Sequence, residues 1–292
     1  MTTVRALLAV ATMNGWFTTQ MDVTNAFLHG DLEEDVYMSM PVGYSGISSR
    51  ILVDSQGNNP SKNSTLVCKL TKSLYGLKKA PRQWFKNLST SLGNSVTIVL
   101  VYVDDLLITG NNKGEIARIK KMLASHFHMK DLGSLRYFLG LEIDHTDQGI
   151  FISQKKYTTD LLREEGLLNV KPLKLPIDSH LKLSADKGTP LPDPARYQQL
   201  LGKLIYLTIT RPDISFTVQL LSQFMHSPTS THMQAVKRLL SYLAGTVSQG
   251  VLLASSSAAE LAAYCDSDWA ICPTTRRSTT SYCVLLGKSP LS

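Results

Sequence analysis

The alternation of apolar and polar positions is sharpest from Ile98 to Gly110, IVLVYVDDLLITG. β-Branched and aromatic residues there favour strands, and a two-residue polar break between two apolar runs predicts a hairpin with Asp104 and Asp105 at its tip. Upstream, residues 3–14 have helical spacing, TTQMDV predicts a short strand that delivers Asp22 at its end, and VYMSMP (36–41) alternates as a strand does. Residues 43–62 are rich in Gly, Ser, Asn and Pro and predict a loop. From Val67 the pattern predicts a strand, a turn at Gly76 and a helix opened by Pro81, where a missing N–H is tolerated. Downstream it predicts a helix over 113–128, strands over LRYFLGLEID and GIFISQKKY about a turn at 145–149, and a helix over 157–165. A proline-rich connector follows over 171–194, then helices over 196–208, 214–224 and 231–243, and two final strands in LAAYCDSDWA and RRSTTSYCVLLG. Strands and helices in separate runs make the fold class α+β.

Composition narrows the class without choosing a function. The 292 residues are 43% hydrophobic and 18% charged, which suits folded domains rather than disorder. No apolar run approaches the roughly 20 residues of a membrane span. The run at Ala6 to Ala11 imitates a secretory signal, yet Thr2, Thr3, Asn14 and Gly15 hem it in, and it reads as one side of an amphipathic helix. Cys68, Cys265, Cys272 and Cys283 show no metal-binding spacing and read as free thiols of a reducing compartment. A net charge of +7 is compatible with a polyanionic partner but equally with an ordinary basic protein.

Candidate chemistry gathers at two places. Asp104 and Asp105 sit side by side, and Asp22 ends a separate strand. Like charges in proximity must stay solvated or share a cation, and hard divalent ions take carboxylate oxygens, although adjacent aspartates also serve as plain turn formers. The second place is VCKLTKSLYGLKKAPRQWF, where Lys69, Lys72, Lys78, Lys79, Arg82 and Lys86 are interleaved with Tyr75, Trp84 and Phe85. Cations take phosphates and rings take bases or sugars, while an ordinary basic helix face would read the same way.

The ordered blocks MDVTNAFLHGDLEEDVYMSMPVGY, SLYGLKKAPRQWF, VLVYVDDLLITGN, YFLGLEI, YLTITRPDISFTVQLLSQFM and AYCDSDWA resemble the reverse transcriptase region of copia-type retrotransposon polyproteins over nearly the whole chain. The resemblance implies RNA-directed DNA polymerase activity: deoxynucleoside triphosphates added to a primer 3′ end on an RNA or DNA template, with two Mg²⁺ or Mn²⁺ ions. It implies that Asp22 and Asp104 are metal ligands, with the Val23 carbonyl as a further oxygen and Asp105 as a third catalytic acid. By the same resemblance Phe27 borders the nucleotide and blocks a ribose 2′-hydroxyl, though core packing would also suit it, and Tyr75, Gly76 and Lys78 border template and nucleotide. Asp266 resembles the first acid of a ribonuclease H domain, whose other acids are not found before Ser292, so neither that activity nor a separate nuclease site at Asp266 and Asp268 is expected.

The resemblance implies a right-hand polymerase palm with partial fingers over residues 1–145, an α-rich thumb and connection over 146–254, and the start of a ribonuclease H-like strand pair over 255–292. The family carries a basic β-rich segment ahead of the equivalent of Met1 and additional residues between Leu92 and Gly93, so the expected polymerase is an impaired one. The alternative is an inactive relic that at most binds nucleic acid. Localisation follows the family only, in cytoplasmic particles or the nucleus, with no membrane partner, and the sequence does not fix an oligomeric state.

Overall fold

The computed structural model describes residues 1–24, 31–39, 52–53, 67–72, 97–178, 181, 183–184, 186–270 and 276–292. In chain order the first elements are helix α1 (Thr2–Met13), strands β1 (Phe17–Val23), β2 (Asp31–Ser39), β3 (Leu52–Val53), β4 (Val67–Lys72), β5 (Thr97–Tyr102) and β6 (Asp105–Gly110), and helix α2 (Lys113–His126). Strands β7 (Met129–Ser134), β8 (Tyr137–Phe138), β9 (Leu141–Thr146) and β10 (Gly149–Ser153) lead to helices α3 (Lys155–Glu164), α4 (Pro194–Leu207), α5 (Ser215–Ser222) and α6 (Ser230–Ala244). The described chain ends with β11 (Gly250–Ala254), β12 (Leu261–Asp268), β13 (Thr279–Leu286) and β14 (Ser289–Pro290). Mixed α and β content agrees with the sequence, and the described strand pairs are antiparallel.

The chain forms two compact units, residues 17–134 and residues 1–16 with 135–292. In the first, a four-stranded sheet has the order β5-β6-β1-β7 and a three-stranded sheet the order β2-β4-β3. The four-stranded sheet buries one face against α2. Met21, Val23, Leu106 and Ile108 meet Ile116, Ile119 and Leu123, whose spacing puts them on one side of the helix. Asn112 starts that helix, its side-chain oxygen accepting from the N–H groups of Gly114 (2.9 Å) and Glu115 (3.2 Å). In the other sheet, Lys69 pairs with Asp35 at 2.6 Å.

In the second unit, helices α3 to α6 share an apolar core built from Leu161, Tyr197, Leu201, Leu204, Val236 and Leu239, among others. Asp193 caps α4 through the Ala195 N–H at 2.9 Å, with Pro194 at the first helical position. The sheet β11-β10-β9-β8 packs on α1 through β10 and β11. Gly149 (φ 138°) is required there, since a Cβ would stand 2.0 Å from the Leu253 carbonyl oxygen. The TRPDISF block is structural: Arg211, 1% exposed, holds Asp213 with two hydrogen bonds of 2.9 and 2.7 Å and donates to the Thr246 carbonyl at 2.9 Å.

Several elements differ from the sequence reading. Within 43–62, expected as loop, Leu52–Val53 pairs with β4 as a strand. Strands β7 and β11 form where none was expected, because each is ordered by a partner: β1 for the first and β10 for the second. The boundary expected at 145 falls inside β9, which pairs with β10, and the first sixteen residues belong with 135–292. The helix expected to open at Pro81 lies outside the described residues.

Candidate functional site

Strand register assembles the acids. In the antiparallel pair β1–β6, Gln20 lies opposite Leu107, Met21 opposite Leu106 and Asp22 opposite Asp105. Directly opposed residues share a face, so Asp22 and Asp105 lie together on the face away from α2, while Met21, Val23, Leu106 and Ile108 fill the core beneath. One step further, the Val23 N–H donates to the Asp104 carbonyl at 2.8 Å. The three acids thus meet at one end of the sheet although more than eighty residues separate Asp22 from the other two.

The turn is displaced by one residue from the sequence reading. Tyr102 pairs with Asp105, which leaves Val103 and Asp104 as the two turn residues, and Asp105 is the first residue of β6 rather than part of the tip. Val103 has a positive φ of 53°. Positive φ at the first turn position alone is the pattern of a type II′ turn, which joins twisted strands well but suits glycine there. The strained backbone sends Asp104 off the end of the sheet and Asp105 back onto it.

Across the sheet, the Asp105 row reads Tyr102, Asp105, Asp22 and Lys130, contributed by β5, β6, β1 and β7. Tyr102 is 57% exposed and Lys130 is exposed as well, so the row is open to a ligand at both ends. Gln20 is 6% exposed and donates its side-chain amide to Asp105 Oδ1 at 3.1 Å. Burial pushes the Asp105 carboxyl above the usual carboxylate range, the Gln20 bond opposes that, and the charges of Asp22 and Asp104 push it further up.

This donor set suits a hard divalent cation. Its side-chain groups are carboxylates, the ligands Mg²⁺ and Mn²⁺ prefer, and their mutual repulsion is what a dication would relieve. Among the described residues no group of three or more His, Cys, Asp or Glu side chains already stands in ion-holding geometry. The acids fit by chemistry and strand position, not as a closed cage.

Phe27, Tyr75, Gly76 and Lys78 lie outside the described residues. Asp266 lies on β12 opposite Ser281, exposed, with its Oδ1 accepting from the Ser267 N–H at 3.0 Å. Asp268 follows on the same face, opposite Thr279. Sequence reasoning missed Gln20, Tyr102, Val103 and Lys130, whose positions beside the acids are consequences of register. Among the described residues no helix is long and apolar enough to cross a membrane.

Comparison with known proteins gives the ancestry. The family model described as reverse transcriptase (RNA-dependent DNA polymerase) matches residues 1–96 and 90–179, two segments that meet within 90–96. The chain is 42% identical over 310 aligned positions to a retrovirus-related Pol polyprotein from transposon RE1 of Arabidopsis thaliana, covering 100% of this chain and 20% of that protein. It is 36% identical over 313 positions to the Pol polyprotein from transposon TNT 1-94 of Nicotiana tabacum, covering 97% and 22% respectively. The chain therefore spans about a fifth of the length of these relatives. An alignment of 310 positions against 292 residues also means that the RE1 protein carries residues this chain lacks. Among solved structures, a foamy viral protease-reverse transcriptase in complex with dsDNA aligns with a TM-score of 0.46 at 15% identity, over 94% of this chain and 50% of that one. On the family match and the identity along nearly all of this chain to transposon polyproteins, the chain belongs to the reverse transcriptase (RNA-dependent DNA polymerase) family, in its copia-type retrotransposon branch.

Proposed function

We propose that this chain is the polymerase part of a retrotransposon polyprotein, an RNA-directed DNA polymerase that adds deoxynucleotides to a primer 3′ end, impaired by residues missing near 90–96. The observation that carries this reading is the pairing of Asp22 with Asp105 beside the Val23–Asp104 hydrogen bond, which gathers three acids at one sheet end. In this reading residues 17–134 hold the palm, with partial fingers; α3 to α6 form the thumb and connection; β12 and β13, with Asp266, are the start of a ribonuclease H-like domain.

Asp22 and Asp104, with the Val23 carbonyl, would hold divalent ions, and Asp105 would support them. When bound there, Mg²⁺ or Mn²⁺ would neutralise charge at the transferred phosphoryl group and would make the primer hydroxyl easier to deprotonate. The chain's own part is positional. The paired strands fix the carboxylates, and Lys130 beside Asp22 offers a cation to the phosphates of an incoming nucleotide. Phe27 would exclude ribonucleotides by steric clash, and Tyr75, Gly76 and Lys78 would border template and nucleotide.

A DNA primer on a poly(rA) template, labelled deoxynucleotide and Mg²⁺ or Mn²⁺ make the test, with Asp104→Ala as control. Extension that the substitution abolishes supports the reading. A folded wild type as silent as the variant leaves the second reading, an inactive relic.

A further inference from the structure

Gln20 is a buried polar side chain that touches the acid cluster from alongside, on the same face of the sheet. It lies two residues before Asp22, on the same face of β1, and opposite Leu107 of β6. Its amide therefore reaches Asp105 diagonally across the strand pair, from a strand the core already fixes on its other face through Met21 and Val23. An amide in this place costs free energy unless it is hydrogen-bonded, and Asp105 Oδ1, at 3.1 Å, is the acceptor it finds. The reverse dependence is the functional one. Asp105 follows a strained turn and faces a second carboxylate across the strands, so repulsion alone would swing its side chain outward; the Gln20 bond holds one of its oxygens toward the sheet.

We propose that Gln20 is a positioning residue of the acid site: by holding Asp105 Oδ1 it fixes that carboxylate in one orientation, from which it supports a divalent cation held by Asp22 and Asp104. This rests on the polymerase reading for the identity of the ligand, but the bond itself stands without it. Outer partners of metal-binding carboxylates are worth about 10- to 100-fold in metal affinity. Gln20 acts through Asp105 alone, so its whole effect must vanish once Asp105 no longer carries a carboxylate to support the ion site.

The full 292-residue chain is titrated with Mn²⁺ and followed by electron paramagnetic resonance, as wild type, Gln20→Leu, Asp105→Asn, the double variant and Asp104→Ala. Gln20→Leu keeps the side-chain bulk, and thermal melting checks its fold. The expected result is Mn²⁺ binding about tenfold weaker in Gln20→Leu and no further loss when that change is added to Asp105→Asn. Independently of any metal, the Gln20 side-chain amide proton should resonate downfield in the wild type and move upfield in a chain with Asp105→Ala. Unchanged Mn²⁺ affinity in Gln20→Leu, or a loss that persists beside Asp105→Asn, overturns the positioning role alone. A wild type that binds Mn²⁺ no better than Asp104→Ala overturns the metal reading and the role built on it, whereas an amide proton indifferent to Asp105→Ala overturns the bond and leaves the metal reading standing.

Discussion

Val103 holds a φ of 53° although its side chain branches at Cβ, and at 40% exposure it gains little burial in return. Such a conformation costs a non-glycine residue on the order of 1–3 kcal/mol. Val103→Gly should therefore raise the stability read from urea denaturation by about 1 kcal/mol, after the glycine's own entropy loss is subtracted; a lowered midpoint would show that the turn is not strained. Asp105 carries a second local cost. Its carboxyl is raised by burial and by its acidic neighbours, with Gln20 opposing, so the folded state binds a proton more readily than the unfolded chain. Stability must then fall as pH rises from about 4 through the folded value, and the deficit persists at pH 7. Asp105→Asn, whose Oδ1 still accepts from Gln20, should unfold at higher urea than wild type at pH 7, with the gap closing toward pH 4. At this scale the sequence displayed Asp22, Asp104 and Asp105 because acids among apolar strand residues stand out. It could not display Gln20 or Lys130, because their neighbours depend on a register that shifts between Gln20 and Met21 where β1 meets β7.

Among the elements, α6 shows how a helix start can be tied to pH. His232 is fully buried and stacks on Phe224 with ring centroids 3.9 Å apart, and its Nδ1 accepts the Thr229 N–H at 3.0 Å. This is the task Glu or Gln usually performs at the third helical position. Burial holds the imidazole below the usual histidine range, so the folded state keeps it neutral, and protonation would turn the Nδ1 acceptor into a donor. The unfolded chain takes up the proton first, near pH 6.5, so this contribution to stability is full above that pH and lost as pH falls, at no more than about 1.4 kcal/mol per pH unit. His232→Gln should flatten the fall in urea midpoint between pH 7.5 and 5.5; an unaltered slope would assign it to other groups. Helices such as α2 and α4 were legible because their caps and apolar spacing are local, as at Asn112 and Asp193. By contrast β7, MKDLGS, has little strand propensity and exists through its pairing with β1, and β11 pairs with a strand nearly a hundred residues earlier.

For the molecule as a whole, family membership was readable in the sequence, and the proposed impairment of the polymerase turns on the stretch near residues 90–96. The blocks that carried the resemblance are short and ordered, and the family match extends over residues 1–96 and 90–179. Catalysis is less forgiving than recognition, since a displacement near 1 Å at a reacting centre can cost about 100-fold in rate. Residues 90–96, where the two matched segments meet, come immediately before β5, the strand that carries Tyr102 and leads into the Val103–Asp104 turn. On the proposed polymerase reading, inserting between Leu92 and Gly93 a matching segment of the RE1 protein should raise primer extension by about 100-fold over the 292-residue chain, and Asp104→Ala should abolish the gain. The same insertion should leave the unfolding of residues 135–292 unchanged, because the helical core of Leu161, Tyr197, Leu204 and Leu239 is built without that segment. A longer chain that melts normally yet extends no better would place the defect elsewhere, in the acids or in their positioning, and the insertion would then have no bearing on function.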